Sequence, residues 1–137
     1  MVSTMANEAV IIELFNGGDP ITYTCNEGIG IEKGTIMELS GDRTVIANTN
    51  DNAPLVGIAA AEKVASDGAT TIPVYTNGIF DCLTDAGTDN AGAVLANSAT
   101  ENTLQTGDAA DLLANSFLGF TLETAGNAEV AAIRVNK

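Results

Sequence analysis

The sequence predicts an all-β fold with little helix, and three observations carry that prediction. Short apolar runs recur about every ten residues, each closed by Gly, Asn or Asp, which is the rhythm of strands joined by reversals. Ile21-Thr22-Tyr23-Thr24-Cys25 alternates apolar and hydroxylic side chains, the period of a sheet with one buried face. Charged residues make up only 17% of the 137, while Gly reaches 14. Polarity therefore rests on Thr, Asn and Ser, which suits compact strands and not a charged disordered chain.

Taken in order, strands are predicted at Ala9 to Phe15, Ile21 to Cys25, Thr35 to Leu39, Thr44 to Ala47 and Leu55 to Ala60. They continue at Thr71 to Tyr75, Ile79 to Leu83, Ala93 to Ala96, Leu118 to Glu123 and Val130 to Val135. Asn16-Gly17-Gly18, Gly41-Asp42, Asp67-Gly68 and Gly126-Asn127 mark reversals, because Gly, Asn and Asp tolerate turn backbone. Asn77-Gly78, between IPVYT and IFDCL, predicts a two-residue type I′ hairpin. Pro73 lacks a ladder donor and predicts an edge or a bulge for its strand. Short helical turns are expected at Ala59 to Ala65 and at Asp108 to Ala114, where Asp108 is the candidate cap. No internal repeat or linker divides the chain. Residues 1–16 read as an N-terminal arm or first strand ahead of the Gly17-Gly18 break, and 17–137 as a single β domain.

Charge narrows the function. Eighteen acidic side chains against five basic ones give a net charge of -13. Lys33, Arg43, Lys63, Arg134 and Lys137 are scattered singly, so no cluster neutralises several phosphates, and neither nucleic acid nor an anionic membrane is an expected partner. His is absent, which removes every Ser-His, Cys-His and His-metal arrangement. Cys25 and Cys82 have no CxxC spacing; they either pair once or are both small reduced core residues, and no basic-flanked apolar run reads as a signal peptide or membrane span, so a soluble cytosolic protein is expected.

The remaining chemistry is thin. Asp81, Asp85 and Asp89 recur every four residues, but in a turn-rich segment where Asp serves local hydrogen bonds. Asn48-x-Asn50-x-Asn52 and Asp85-x-x-x-Asp89-Asn90 offer oxygen ligands for calcium yet lack the Gly and closing Glu of an EF-hand loop. Gly28 to Gly34 matches no phosphate cradle and reads as a turn. Neither Cys has a His or clustered cations to activate it. No catalytic residue, metal ligand or cofactor is expected. Ala (21) and Thr (16), the commonest residues, favour weakly ionic strands suited to packing against copies of themselves.

Gly18-Asp19-Pro20-Ile21-Thr22, Ile31-Glu32-Lys33-Gly34-Thr35, Leu55-Val56-Gly57-Ile58-Ala59, Asn77-Gly78-Ile79-Phe80 and Leu118-Gly119-Phe120-Thr121-Leu122-Glu123 form an ordered set of segments. In these, over about residues 8 to 135, the chain resembles the capsid decoration (cement) proteins of tailed bacteriophages. The resemblance implies a small β-barrel or β-tulip domain without enzymatic activity, made in the host cytoplasm. It further implies a homotrimer on the outer surface of the icosahedral head that cements neighbouring subunits of the major capsid protein. An N-terminal arm commonly meets the shell in such proteins. The matching segment here, Met1 to Phe15, offers Ile11, Ile12, Leu14 and Phe15 as capsid contacts by apolar character. Competing readings are a tail or fibre component, a calcium-dependent carbohydrate-binding module and a carboxylate-based hydrolase.

Overall fold

Alternating apolar positions and positive-φ turns place eleven strands and one short helix along the described residues. These are 7–14, 19–85, 90–98, 100–124 and 126–137 of a computed structural model. The first group is β1 (Val10–Glu13), β2 (Ile21–Thr24), β3 (Ile36–Gly41), β4 (Thr44–Ala47), β5 (Leu55–Ala59) and β6 (Thr71–Tyr75). The second is β7 (Asn77–Thr84), β8 (Val94–Asn97), β9 (Thr103–Thr106), α1 (Ala109–Ala114), β10 (Phe117–Thr121) and β11 (Glu129–Asn136).

The strands close into two barrels. One runs β2-β4-β3-β5-β6 and back to β2. The other follows the sheet order β7-β11-β10-β8-β9 and is closed by the parallel pairing of β7 with β9. β1 belongs to neither ring and lies antiparallel along β7.

The two barrels repeat one wiring scheme. β2 with β4 and β7 with β9 are the parallel pairs, and every other pairing within each ring is antiparallel and follows the same order. Register repeats as well. Ile36 opposes Ile58, Met37 opposes Gly57 and Glu38 opposes Leu55; in the second barrel Val94 opposes Phe120, Leu95 opposes Gly119 and Ala96 opposes Phe117. Both ladders skip a residue at the same place, a shared β-bulge. The glycine is required there. A Cβ on Gly57 would lie 2.0 Å from the Tyr75 carbonyl oxygen, and one on Gly119 would lie 1.8 Å from that of Arg134. Tyr75 and Arg134 are equivalent positions, opposite Ile58 and Phe120 respectively. A sequence in which no repeat is visible thus encodes a structural one.

Two apolar clusters fill the barrels. The first barrel encloses Cys25, Ile31, Met37, Val45, Ile72 and Val74. The second encloses Phe80, Cys82, Leu95, Leu104, Leu118 and Ile133, and its cluster also takes in Ile36, Leu55 and Ile58 from the first barrel. Those three alternate with inward-facing neighbours, so they lie on the outer face of one barrel and complete the interior of the other.

Four expectations change. Asn77-Gly78 makes no hairpin: β6 pairs with β2 and β5, β7 pairs with β11, β1 and β9, and the chain runs from one barrel into the next through Thr76. Gly78 instead packs beneath the Glu13 carbonyl and the Leu14 side chain. Pro73 is not on an edge, because β6 has a neighbour on each side; its missing donor falls beside Ala60, where β5 has ended and the Ala60 N–H donates to the Pro73 carbonyl. No helix forms at Ala59 to Ala65, since Ala59 ends β5 and Lys63 makes an antiparallel bridge with Ile31. Thr103–Thr106, a strand with a single apolar residue, was not expected. α1 forms where Asp108 predicts it: the Asp111 N–H donates to Asp108 Oδ1 at 3.0 Å and the Asp108 N–H to Asp111 Oδ2 at 2.9 Å. Gly17 and Gly18 lie outside the described residues.

The repeated close approach gives a stability test. Gly57→Ala and Gly119→Ala are each expected to lower unfolding free energy by about 2 to 4 kcal/mol in urea denaturation, because backbone must move. Gly41→Ala, whose Cβ would meet nothing nearer than Thr44 Cβ at 3.8 Å, is expected to stay within about 0.5 kcal/mol of the parent.

Candidate interaction surface

The N-terminal segment is the part of the described chain that neither barrel needs for closure. It is fixed by the Ala9 N–H, which donates to the Gly34 carbonyl at 2.7 Å, while the Gly34 N–H donates to Ala59 at 2.9 Å. Gly34 has φ +92°, and a Cβ there would stand 2.5 Å from the Ala9 carbonyl oxygen, so only glycine lets the segment seat. Val10 then opposes Asp81 and Ile11 opposes Phe80, before a shift sets Glu13 opposite Ile79.

Alternation sorts the predicted contact residues. Ile11 and Leu14 turn inward and pack on the larger cluster with Ala9 and Tyr75. Ile12 points outward, exposed, beside exposed Val10. Phe15 lies outside the described residues. Between β1 and the first barrel is a cavity of about 330 Å³, lined by Ala9, Ile11, Gly34, Ile58 and Tyr75 with the Lys33 side.

A second apolar area adjoins α1, where Leu112 stands with Val94 of β8 and Phe117 and Phe120 of β10; the neighbouring Leu113 is almost fully exposed. Adjacent leucines about 100° apart fit within one apolar helix face, so the sequence alone did not mark this area as exposed. Beside this area Lys137 Nζ lies 3.9 Å over the Phe117 ring and donates to the Phe117 carbonyl and Asn115 Oδ1, each at 2.8 Å. Burial lowers its ammonium to about 8.

The other polar candidates turn to structure. Asn48 and Asn50 act as donors: Asn48 Nδ2 donates to buried Glu38 Oε1 at 3.0 Å, and the Thr49 N–H joins it at 3.1 Å. Asn50 Nδ2 reaches Glu38 Oε2 at 3.3 Å. Asp81 sits on β7 opposite Val10, Asp85 is exposed, and Asp89 lies outside the described residues. Within Gly28 to Gly34, the Gly28 N–H donates to Asn26 Oδ1 and Ile31 bridges Lys63, which makes it a turn. Among the described residues no group of three or more Cys, Asp or Glu side chains could hold a metal ion, and no helix is long and apolar enough to cross a membrane. Cys25 and Cys82 are free, buried thiols in different clusters.

No protein-family model matches the chain, and no curated protein matches it.

Three tests follow from these environments. Gly34→Val is expected to unseat β1 while leaving both barrels folded, seen as faster amide exchange at residues 10–13 with little change across β3 to β6. Burial raises both thiols, Cys82 to about 12 with Asp81 adding repulsion, so iodoacetamide at about pH 8 is expected to label neither in the native protein and both in urea. The folded pKa values lie above the unfolded ones. The stability they confer is present below about pH 9 and is lost as pH rises toward 12, so the urea midpoint falls over that range and falls less in Cys82→Ala.

Proposed function

We propose that this protein is a non-enzymatic structural component of a virion. It binds the outer surface of an icosahedral head as a trimer and cements neighbouring subunits of the major capsid protein. The observation that carries the reading is β1: a strand that closes neither barrel, held by Ile11 and Leu14 and presenting Val10 and Ile12 to solvent. An outward apolar row on a segment with its own attachment is what a docking strand needs. The ordered resemblance to decoration proteins points to the same partner, and the acidic surface favours a basic patch on it. Each copy adds a modest contact, and a trimer multiplies them by avidity.

Purified protein mixed with expanded, undecorated heads is expected to bind saturably, with hundreds of copies per particle. Val10→Ser together with Ile12→Ser is expected to weaken binding at least about tenfold without shifting the urea midpoint. Absence of saturable binding to heads would sink the reading.

A further inference from the structure

The two barrels share a pairing scheme but not a burial scheme, and the mismatch locates a surface. Within the chain, Ile36, Leu55 and Ile58 of the first barrel are at most 1% exposed because they seat against the interior of the second. Polar contacts fix the same junction. The Ile36 N–H donates to Asn102 Oδ1 at 2.9 Å, the Asn52 N–H to Asn97 Oδ1 at 3.2 Å, and Asn97 Nδ2 to the Asn50 carbonyl at 2.9 Å. All run from the β3 start and the β4–β5 loop of one barrel to the β8–β9 end of the other. The junction therefore joins two different surfaces, a heterologous contact in the sense used for subunits.

Register names the equivalents of each side. Those of Ile36, Leu55 and Ile58 are Val94, Phe117 and Phe120, and here Val94 is 40% and Phe120 38% exposed. On the receiving side, Phe80 and Asn97 of the second barrel, both 0% exposed, correspond to Ile21 and Leu39 of the first, which are 46% and 37% exposed. One end of the chain thus carries the apolar knob without a seat, and the other carries the seat without a knob.

We propose that copies of this chain join head to tail, with Val94, Phe117 and Phe120 of one copy seating at the Ile21 and Leu39 end of the next copy's first barrel. The contact continues the junction already present between the barrels. α1, which has no counterpart in the first barrel, flanks the knob and adds Leu112. Arg43 takes the backbone position of Asn102, each with φ 49°. A guanidinium accepts no hydrogen bond and Leu39 replaces Asn97, so apolar side chains carry this contact. Such a contact closes into a ring when its rotation permits. The proposal supplies the surface for the self-association in the capsid reading and rests on that part of it alone.

Sedimentation of the full chain over a concentration series tests it. The parent is expected to self-associate, and Phe120→Asp and Leu39→Asp, each in an already exposed position, are each expected to weaken association at least about tenfold. An equimolar mixture of the two variants is expected to form a 1:1 dimer and nothing larger, because one intact knob and one intact seat remain. A parent that stays monomeric up to its solubility limit overturns the proposal. So do variants that associate like the parent, or a mixture that gives no dimer. Circular dichroism checks folding, and Phe120→Ser and Leu39→Ser replace any Asp variant that fails to fold. Head binding is read separately: a monomer that still saturates heads removes this surface but leaves the capsid reading, whereas head-to-tail association without head binding does the reverse.

Discussion

A five-stranded ring has a narrow interior, and its open ends leave apolar side chains facing water unless something covers them. Here the cover for the second barrel is the outer face of the first, through Ile36, Leu55 and Ile58. Burying three such side chains contributes roughly 1.5 to 3 kcal/mol each, a large share of the net stability of a chain this size. The placement of β1 depends on the same arrangement, since Ile11 and Leu14 pack on that shared cluster and Gly34, which receives Ala9, lies two residues before the start of β3. The barrels are thus coupled through packing as well as through the continuous run from β6 into β7.

With so few cations, buried Glu38 and Lys63 are satisfied largely by amides and carbonyls, with Asp67 as the carboxylate that meets Lys63. Glu38 is 4% exposed, and its carboxylate takes its hydrogen bonds from Asn48, Asn50 and the Thr49 backbone. Lys63, equally buried, donates to the carbonyls of Glu27 at 2.6 Å and Val64 at 3.2 Å, and meets Asp67 at 3.3 Å. For Glu38 amide dipoles replace the counter-charge that an isolated buried ion needs, and for Lys63 carbonyl dipoles add to that of Asp67. Asn97 does the same at the barrel junction, spanning Asn50, Ala53 and Asn52. The Asn side chains, which invite a search for calcium ligands, serve here both as donors, at Asn48, Asn50 and Asn97, and as acceptors, at Asn26, Asn97 and Asn102.

Local features were legible in the sequence and relations between distant segments were not. Thr44–Ala47 and Thr71–Tyr75 match their predicted bounds because β-branched runs end at clear breakers. The Asp108 cap announces α1. Asn77-Gly78 misleads because the dipeptide that suits a tight turn also suits a crowded strand start, and only the presence of Glu13 and Leu14 overhead decides between them. The duplication is hidden because register and pairing sense repeat while side chains diverge: Ile58 answers to Phe120, Tyr75 to Arg134, Cys25 to Thr84. Gly57 and Gly119 survive at equivalent positions because backbone leaves no room there. On the candidate surface, apolar character names Ile11, Ile12, Leu14 and Phe15 alike, but which of the described ones face outward depends on the β1 register, and that is set by β7.

The pairing of β1 with β7 also bears on how the chain acquires its structure as it is made. All strands of the first barrel lie before Thr76, so that ring can close while the second half is still being synthesised. β1 emerges before any of them and yet has to wait for residues 79–81 before it finds its partner. For that interval the apolar run Val10 to Ile12 has no β7 beside it. The acidic residues on either side, Glu8 and Glu13, stand where gatekeepers against premature association are placed.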